Sequence, residues 1–165
     1  MTNKKIVVLG VGNILLKDEG IGVRVVQAME KMDLPDGVEL IDGGTAGFDL
    51  LYPVQEADKL IVVDAIEASS EPGDIFKFTP QDVKLKSKEK VSLHEIEILE
   101  VLKMAENLGK CPETVIFGIQ PKEIDLGLEL TSELQEKIPR VIELVLEEIG
   151  KLKSKIKSED YRIKD

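Results

Sequence analysis

Apolar residues fall into two rhythms along this 165-residue chain. Ile6-Val7-Val8-Leu9, Leu60-Ile61-Val62-Val63 and Thr114-Val115-Ile116-Phe117 are continuous runs, the pattern of strands buried on both faces of a parallel sheet. Gly22, Val25, Val26, Met29 and Met32 instead recur at spacings of three and four, which predicts a helix to about Met32, ended by Leu34-Pro35 and an Asp36-Gly37 turn. Val38 to Asp42 reads as a short second strand closed by Gly43-Gly44-Thr45, and Phe48, Leu50, Leu51 and Val54 mark a short helix before Lys59. The strand from Leu60 to Ile66 is the most apolar and is expected at the centre of the sheet. Gly73 to Phe78 alternates, as an edge strand with one solvated face does. Residues 79–91 are polar and lysine-rich and read as an exposed loop. Ser92 and Glu95 have the spacing of a capping box, opening a helix that Leu99, Leu102, Ala105 and Leu108 carry to Gly109. After a strand over residues 114–119, apolar positions from Leu134 to Ile149 trace a last helix starting near Thr131, with a kink expected at Pro139.

Strands alternating with helices at this spacing imply parallel pairing through right-handed crossovers, with the strand C-termini along one sheet edge. The expected fold class is α/β: one domain over residues 1–150, a three-layer sandwich with a mostly parallel twisted sheet, one antiparallel edge strand and helices on both faces. Residues 151–165 are a charged C-terminal tail, either a fraying extension of the last helix or disordered.

Composition narrows the function classes. Aromatics make up 4% of residues and Trp is absent, so the core must be built from Val, Ile and Leu. The net charge is -10, and the tail carries six basic residues against three acids, which leaves -13 on residues 1–150. So acidic a body repels phosphate backbones, and no nucleic-acid partner is expected. A single cysteine, Cys111, rules out an intramolecular disulfide and suits a reducing cytosol. No apolar stretch approaches the roughly 18 residues of a membrane span, and Met1-Thr2-Asn3-Lys4-Lys5 has no signal-peptide pattern. A cytoplasmic protein without membrane contact is expected.

Chemistry concentrates in the turn from Gly10 to Gly22. Gly10 and Gly12 let the chain leave the first strand in conformations a Cβ would hinder, and Asn13 is a residue type that tolerates a left-handed backbone. Asp18 and Glu19 fall where the next helix begins, a favourable place for negative charge. Gly20 and Gly22 each cost a helix roughly 1 kcal/mol relative to alanine, so something must come close to the backbone there. His94 is the only histidine, so any imidazole chemistry rests on it. Glu19 beyond the first strand, Asp64 near the end of the strongest strand and His94 at a helix start all border the crevice at the strand C-termini. Two oxygens and one nitrogen suit a borderline divalent metal with open positions. Asp42 either joins this chemistry or merely ends the second strand.

Other motifs are missing. The third glycine of the dinucleotide fingerprint is replaced by Leu15, and Asp42 lies further on than that pattern requires. No phosphate loop, nucleophile elbow, His-Glu-x-x-His or cysteine pair is present, and no organic cofactor is expected.

The run from Gly10 to Gly22 resembles the Gly-x-Gly-Asn-x-Leu-x-x-Asp-Glu-x-x-Gly signature of the NiFe-hydrogenase maturation endopeptidases. The resemblance continues through Asp42-Gly43-Gly44-Thr45, Val63-Asp64-Ala65, Ser92-Leu93-His94 and Gly118-Ile119-Gln120-Pro121, and covers roughly residues 4 to 150. It implies a protease that removes a short C-terminal peptide from a hydrogenase large-subunit precursor after nickel insertion. It further implies that Glu19, Asp64 and His94 bind metal, the nickel being carried by the substrate. The glycines around Glu19 would then admit a substrate tail. The rival reading is a nickel-sensing metallochaperone that binds the same precursor without cutting it. A monomer that docks transiently is expected.

Overall fold

The computed structural model describes residues 4–85 and 93–164, with side chains described over 4–82 and 98–153. Five strands, β1 (Ile6–Val11), β2 (Val38–Gly44), β3 (Lys59–Ala65), β4 (Ile75–Phe78) and β5 (Glu113–Ile119), form one sheet in the order β2-β1-β3-β5-β4. All neighbours are parallel except β4, which runs antiparallel to β5 at the edge. The continuous apolar runs behave as expected: every residue of β1 is buried, and β3, buried from Leu60 to Ala65, is the middle strand.

Alternation along the strands builds the two outer layers. Ile6, Val8, Ile61 and Val63 point to one side, against α1 (Ile21–Met29) and α6 (Ile138–Lys164), where Val25, Val26, Met29, Val141, Val145 and Ile149 close the core. Val7, Leu9, Leu60 and Val62 point to the other, against α2 (Leu51–Glu56) and α4 (Leu93–Asn107) through Val54, Ile98, Val101, Leu102 and Ala105.

Several local readings change. Residues 79–91 do not begin as a loop: α3 (Pro80–Leu85) starts there. Thr79 N donates to Asp82 Oδ2 at 2.9 Å and Asp82 N to Thr79 Oγ1 at 3.4 Å, a reciprocal cap with Pro80 at the first helical position, where its missing N–H costs nothing. The capping box expected at Ser92 and Glu95 lies outside the described side chains. The last helix is not kinked at Pro139. It is two helices, α5 (Ser132–Gln135) and α6, and Pro139 sits in the first turn of α6. The tail from residue 151 continues the helical backbone of α6 to Lys164. Nor does α1 reach Met32; it stops at Met29, and a 3-10 turn over Lys17–Gly20 leads into it.

Candidate functional site

β1 pairs with β2 on one side and β3 on the other, so the chain connections diverge beyond the C-termini of β1 and β3. That divergence opens a crevice where ligands of such sheets bind. The loop after β1 enters it first. Gly12, with φ at +136°, turns the chain, and a Cβ on it would overlap the Glu19 carbonyl. Asn13 is not left-handed; that conformation falls to Lys17, with φ at 48°. Asn13 instead closes the loop, its Oδ1 accepting from Leu15 N at 2.9 Å and its carbonyl from Leu16 N at 3.1 Å.

What approaches the glycines is the protein's own backbone. A Cβ on Gly22 would overlap the carbonyl oxygens of Val63 and Val11, and one on Gly20 would lie 2.8 Å from Ile14 Cα. The N-terminus of α1 therefore sits directly on β1 and β3. This replaces the expectation that these glycines admit a substrate tail, because the space is already filled.

Asp18 also differs from its expected part. Its carboxylate is fully buried and does not serve the N-terminus of α1. Oδ2 accepts from Lys122 N at 2.9 Å and Glu123 N at 3.0 Å, and Oδ1 from Thr131 N at 2.8 Å. The Thr131 hydroxyl lies 3.0 Å and 2.8 Å from the two oxygens. Thr131 stands at the N-cap of α5, yet its hydroxyl is spent on Asp18 and makes no cap bond. No motif marks this clamp in the sequence, because its halves lie 104 to 113 residues apart.

Glu19 is partly buried in the 3-10 turn, which packs against β3. Three residues on, Gly22 rests on the Val63 carbonyl, one residue before Asp64. Asp64 is buried at the penultimate position of β3, with Oδ1 accepting from Ala65 N at 2.8 Å. It lines a small pocket with Val62, Ile98, Leu99 and Gly118, so it faces the layer of α4. The backbone of His94 lies in the first turn of α4, one helical turn before Ile98, about 6 Å along the axis. Its side chain is outside the described residues. Among the described residues no three His, Cys, Asp or Glu side chains form a metal-holding group, which leaves Glu19 and Asp64 as the described members of the expected trio.

Asp42 is exposed two residues before the end of β2, which runs through Gly43 and Gly44 instead of closing at them, and its Oδ1 accepts from Gly44 N at 3.1 Å where the β1–β2 register shifts. It stands beside Gly10 of β1, which in turn stands beside Val63. Two strand spacings thus separate its backbone from β3, roughly 10 Å. Cys111 is exposed just before β5, at the opposite edge of the sheet. No helix among the described residues is long and apolar enough to cross a membrane.

Comparison with known proteins gives the arrangement a context. A family model described as hydrogenase maturation protease matches residues 23–148. The chain is 39% identical over 145 residues to a hydrogenase 2 maturation protease of Escherichia coli, covering 86% of this chain and 88% of that one. It is 40% identical over 146 residues to the hydrogenase expression/formation protein HupD of Bradyrhizobium diazoefficiens, covering 86% and 76%. The solved structure of the E. coli hydrogenase maturating endopeptidase HybD superposes with a TM-score of 0.82 at 37% identity, over 89% of this chain and 93% of that one.

Proposed function

Because this chain belongs to the hydrogenase maturation proteases, we propose that it removes the C-terminal extension of a NiFe-hydrogenase large-subunit precursor after nickel insertion. The observation that carries the reading is the placement of a buried acid. Asp64 lies at the divergence point of the sheet, with the turn of Glu19 against its strand and Ile98 and Leu99 of α4 lining its pocket. An acid so placed is buried at the sheet edge where ligands of such folds bind.

In this reading the nickel is part of the substrate. Glu19, Asp64 and His94 complete its coordination, which suits a donor set of two carboxylates and one imidazole. Holding the metal holds the peptide that follows it, so the scissile bond is positioned only when nickel is present. Hydrolysis adds one water across the C–N bond. A carboxylate of the site takes the proton of the attacking water and returns one to the departing amine.

Intact-mass analysis of the cognate precursor, incubated with the protein with and without nickel, tests this. Loss of a C-terminal peptide from the nickel-loaded form alone is the expected result. A complex that forms while the precursor mass never changes would replace processing by metallochaperone binding.

A further inference from the structure

Residues 121–131 connect β5 to α5 and carry Ile124, Leu126 and Leu128, exposed by 52%, 80% and 62%. Leu15, in the turn that leads to Glu19, is exposed by 54% and is bonded to the same segment, its carbonyl accepting from Gly127 N at 2.9 Å. Four large aliphatic side chains in water on one stitched pair of loops are unusual beside a core that buries most of its Val, Ile and Leu.

These loops are also held more firmly than surface loops need to be. Asp18 grips both ends of the segment, Lys17 N donates to the Gly127 carbonyl at 3.0 Å, and Asp18 N to that of Glu123 at 3.2 Å. Arg24 Nη2 donates to the Leu128 carbonyl at 2.7 Å. Of the segment's four charges, Lys122 and Glu123 are paired within the protein, while Asp125 and Glu129 stand exposed beside Leu126 and Leu128. Lys17 pairs with Glu123 at 2.7 Å, and Lys122 pairs with Glu133. The second pairing holds the Glu133 carboxyl down at about 2, chiefly through the hydrogen bond from Lys122. A fixed surface loses little freedom on binding, and apolar side chains flanked by exposed acids select an apolar occupant that carries positive charge.

We propose that Leu15, Ile124, Leu126 and Leu128 form a docking surface for the precursor. Resting on the processing reading above, the occupant is an apolar stretch of the large subunit that carries basic residues, next to the processed tail. Continuity with the Glu19 turn then brings that tail to the crevice, and Asp18 acts as a positioning residue that keeps the two loops in register.

The test compares wild type with Leu126→Ser/Leu128→Ser and with Leu108→Ser, a control 59% exposed beyond the C-terminal end of α4, at the opposite sheet edge. Dissociation constants are measured on immobilised, nickel-loaded precursor, and KM by processing of the same precursor. The double variant should melt like wild type and raise both constants about tenfold, the effect of losing roughly 1.4 kcal/mol of contact. Leu108→Ser should match wild type. Constants for the double variant within twofold of wild type would overturn the surface, as would an equal loss in Leu108→Ser. If wild type binds without cutting, processing fails as a reading while the dissociation constants still decide the docking surface. Absence of any binding by wild type overturns it.

Discussion

A carboxylate with no exposed surface must find donors, and Asp18 finds Lys122 N, Glu123 N, Thr131 N and the Thr131 hydroxyl. Removing the acceptor leaves those donors without their partner, and hydrogen bonds to a charged group are the stronger kind. Asp18→Ala should therefore lower stability by about 3 kcal/mol, read from urea unfolding. A loss below about 0.5 kcal/mol, the range of ordinary surface substitutions, would mean that the clamp is incidental. Gly22 makes a similar argument from space. Its missing side chain lets α1 rest on the carbonyls of Val11 and Val63, and neither is the far end of a flexible side chain that can swing away. Gly22→Ala should cost at least about 2 kcal/mol by forcing α1 off the sheet. Unchanged thermal unfolding would contradict that packing. At this scale the sequence pointed to the right glycines but the wrong visitor. Spacing shows that a backbone must be approached, and only tertiary structure shows by what.

At the scale of elements, pattern served the buried strands and long helices best. β1, β3 and β5 are legible because both faces are covered and nearly every position is apolar. α3 was hidden for the opposite reason: its helix-start signal, Thr79-Pro80-Gln81-Asp82, stands before a lysine-rich stretch whose polarity reads as loop. The signal is physical. Asp82→Ala removes the acceptor for Thr79 N and should cost roughly 1 kcal/mol locally, faster amide exchange over residues 81–85 being the readout. Equal exchange in variant and wild type would show that packing alone holds α3. The break between α5 and α6 was illegible as well, since the apolar period runs across it and Thr131, which has the look of a cap, is engaged by Asp18. The edge strand β4 gains a tether that pattern does not show: Lys77 Nζ lies 2.7 Å from Glu148 of α6, a buried acid in an otherwise apolar layer.

For the whole molecule, the alternation of strands and helices was enough to place Glu19, Asp64 and the backbone of His94 at one edge of the sheet. That inference needs only the direction of each strand, which parallel crossovers fix. The surface made by residues 121–131 was beyond it, because exposure of Leu126 and Leu128 depends on how Asp18 folds the segment back. The proposed processing requires Glu19 and Asp64 to act in the reaction and not merely to support the fold. Intact-mass kinetics of nickel-loaded precursor with Glu19→Gln and Asp64→Asn, each shown to unfold cooperatively, measures this most directly. Both variants should leave the precursor uncut over times in which wild type finishes, a rate loss of at least about 100-fold for misplaced or missing groups. Cleavage by either folded variant at the wild-type rate would contradict the site.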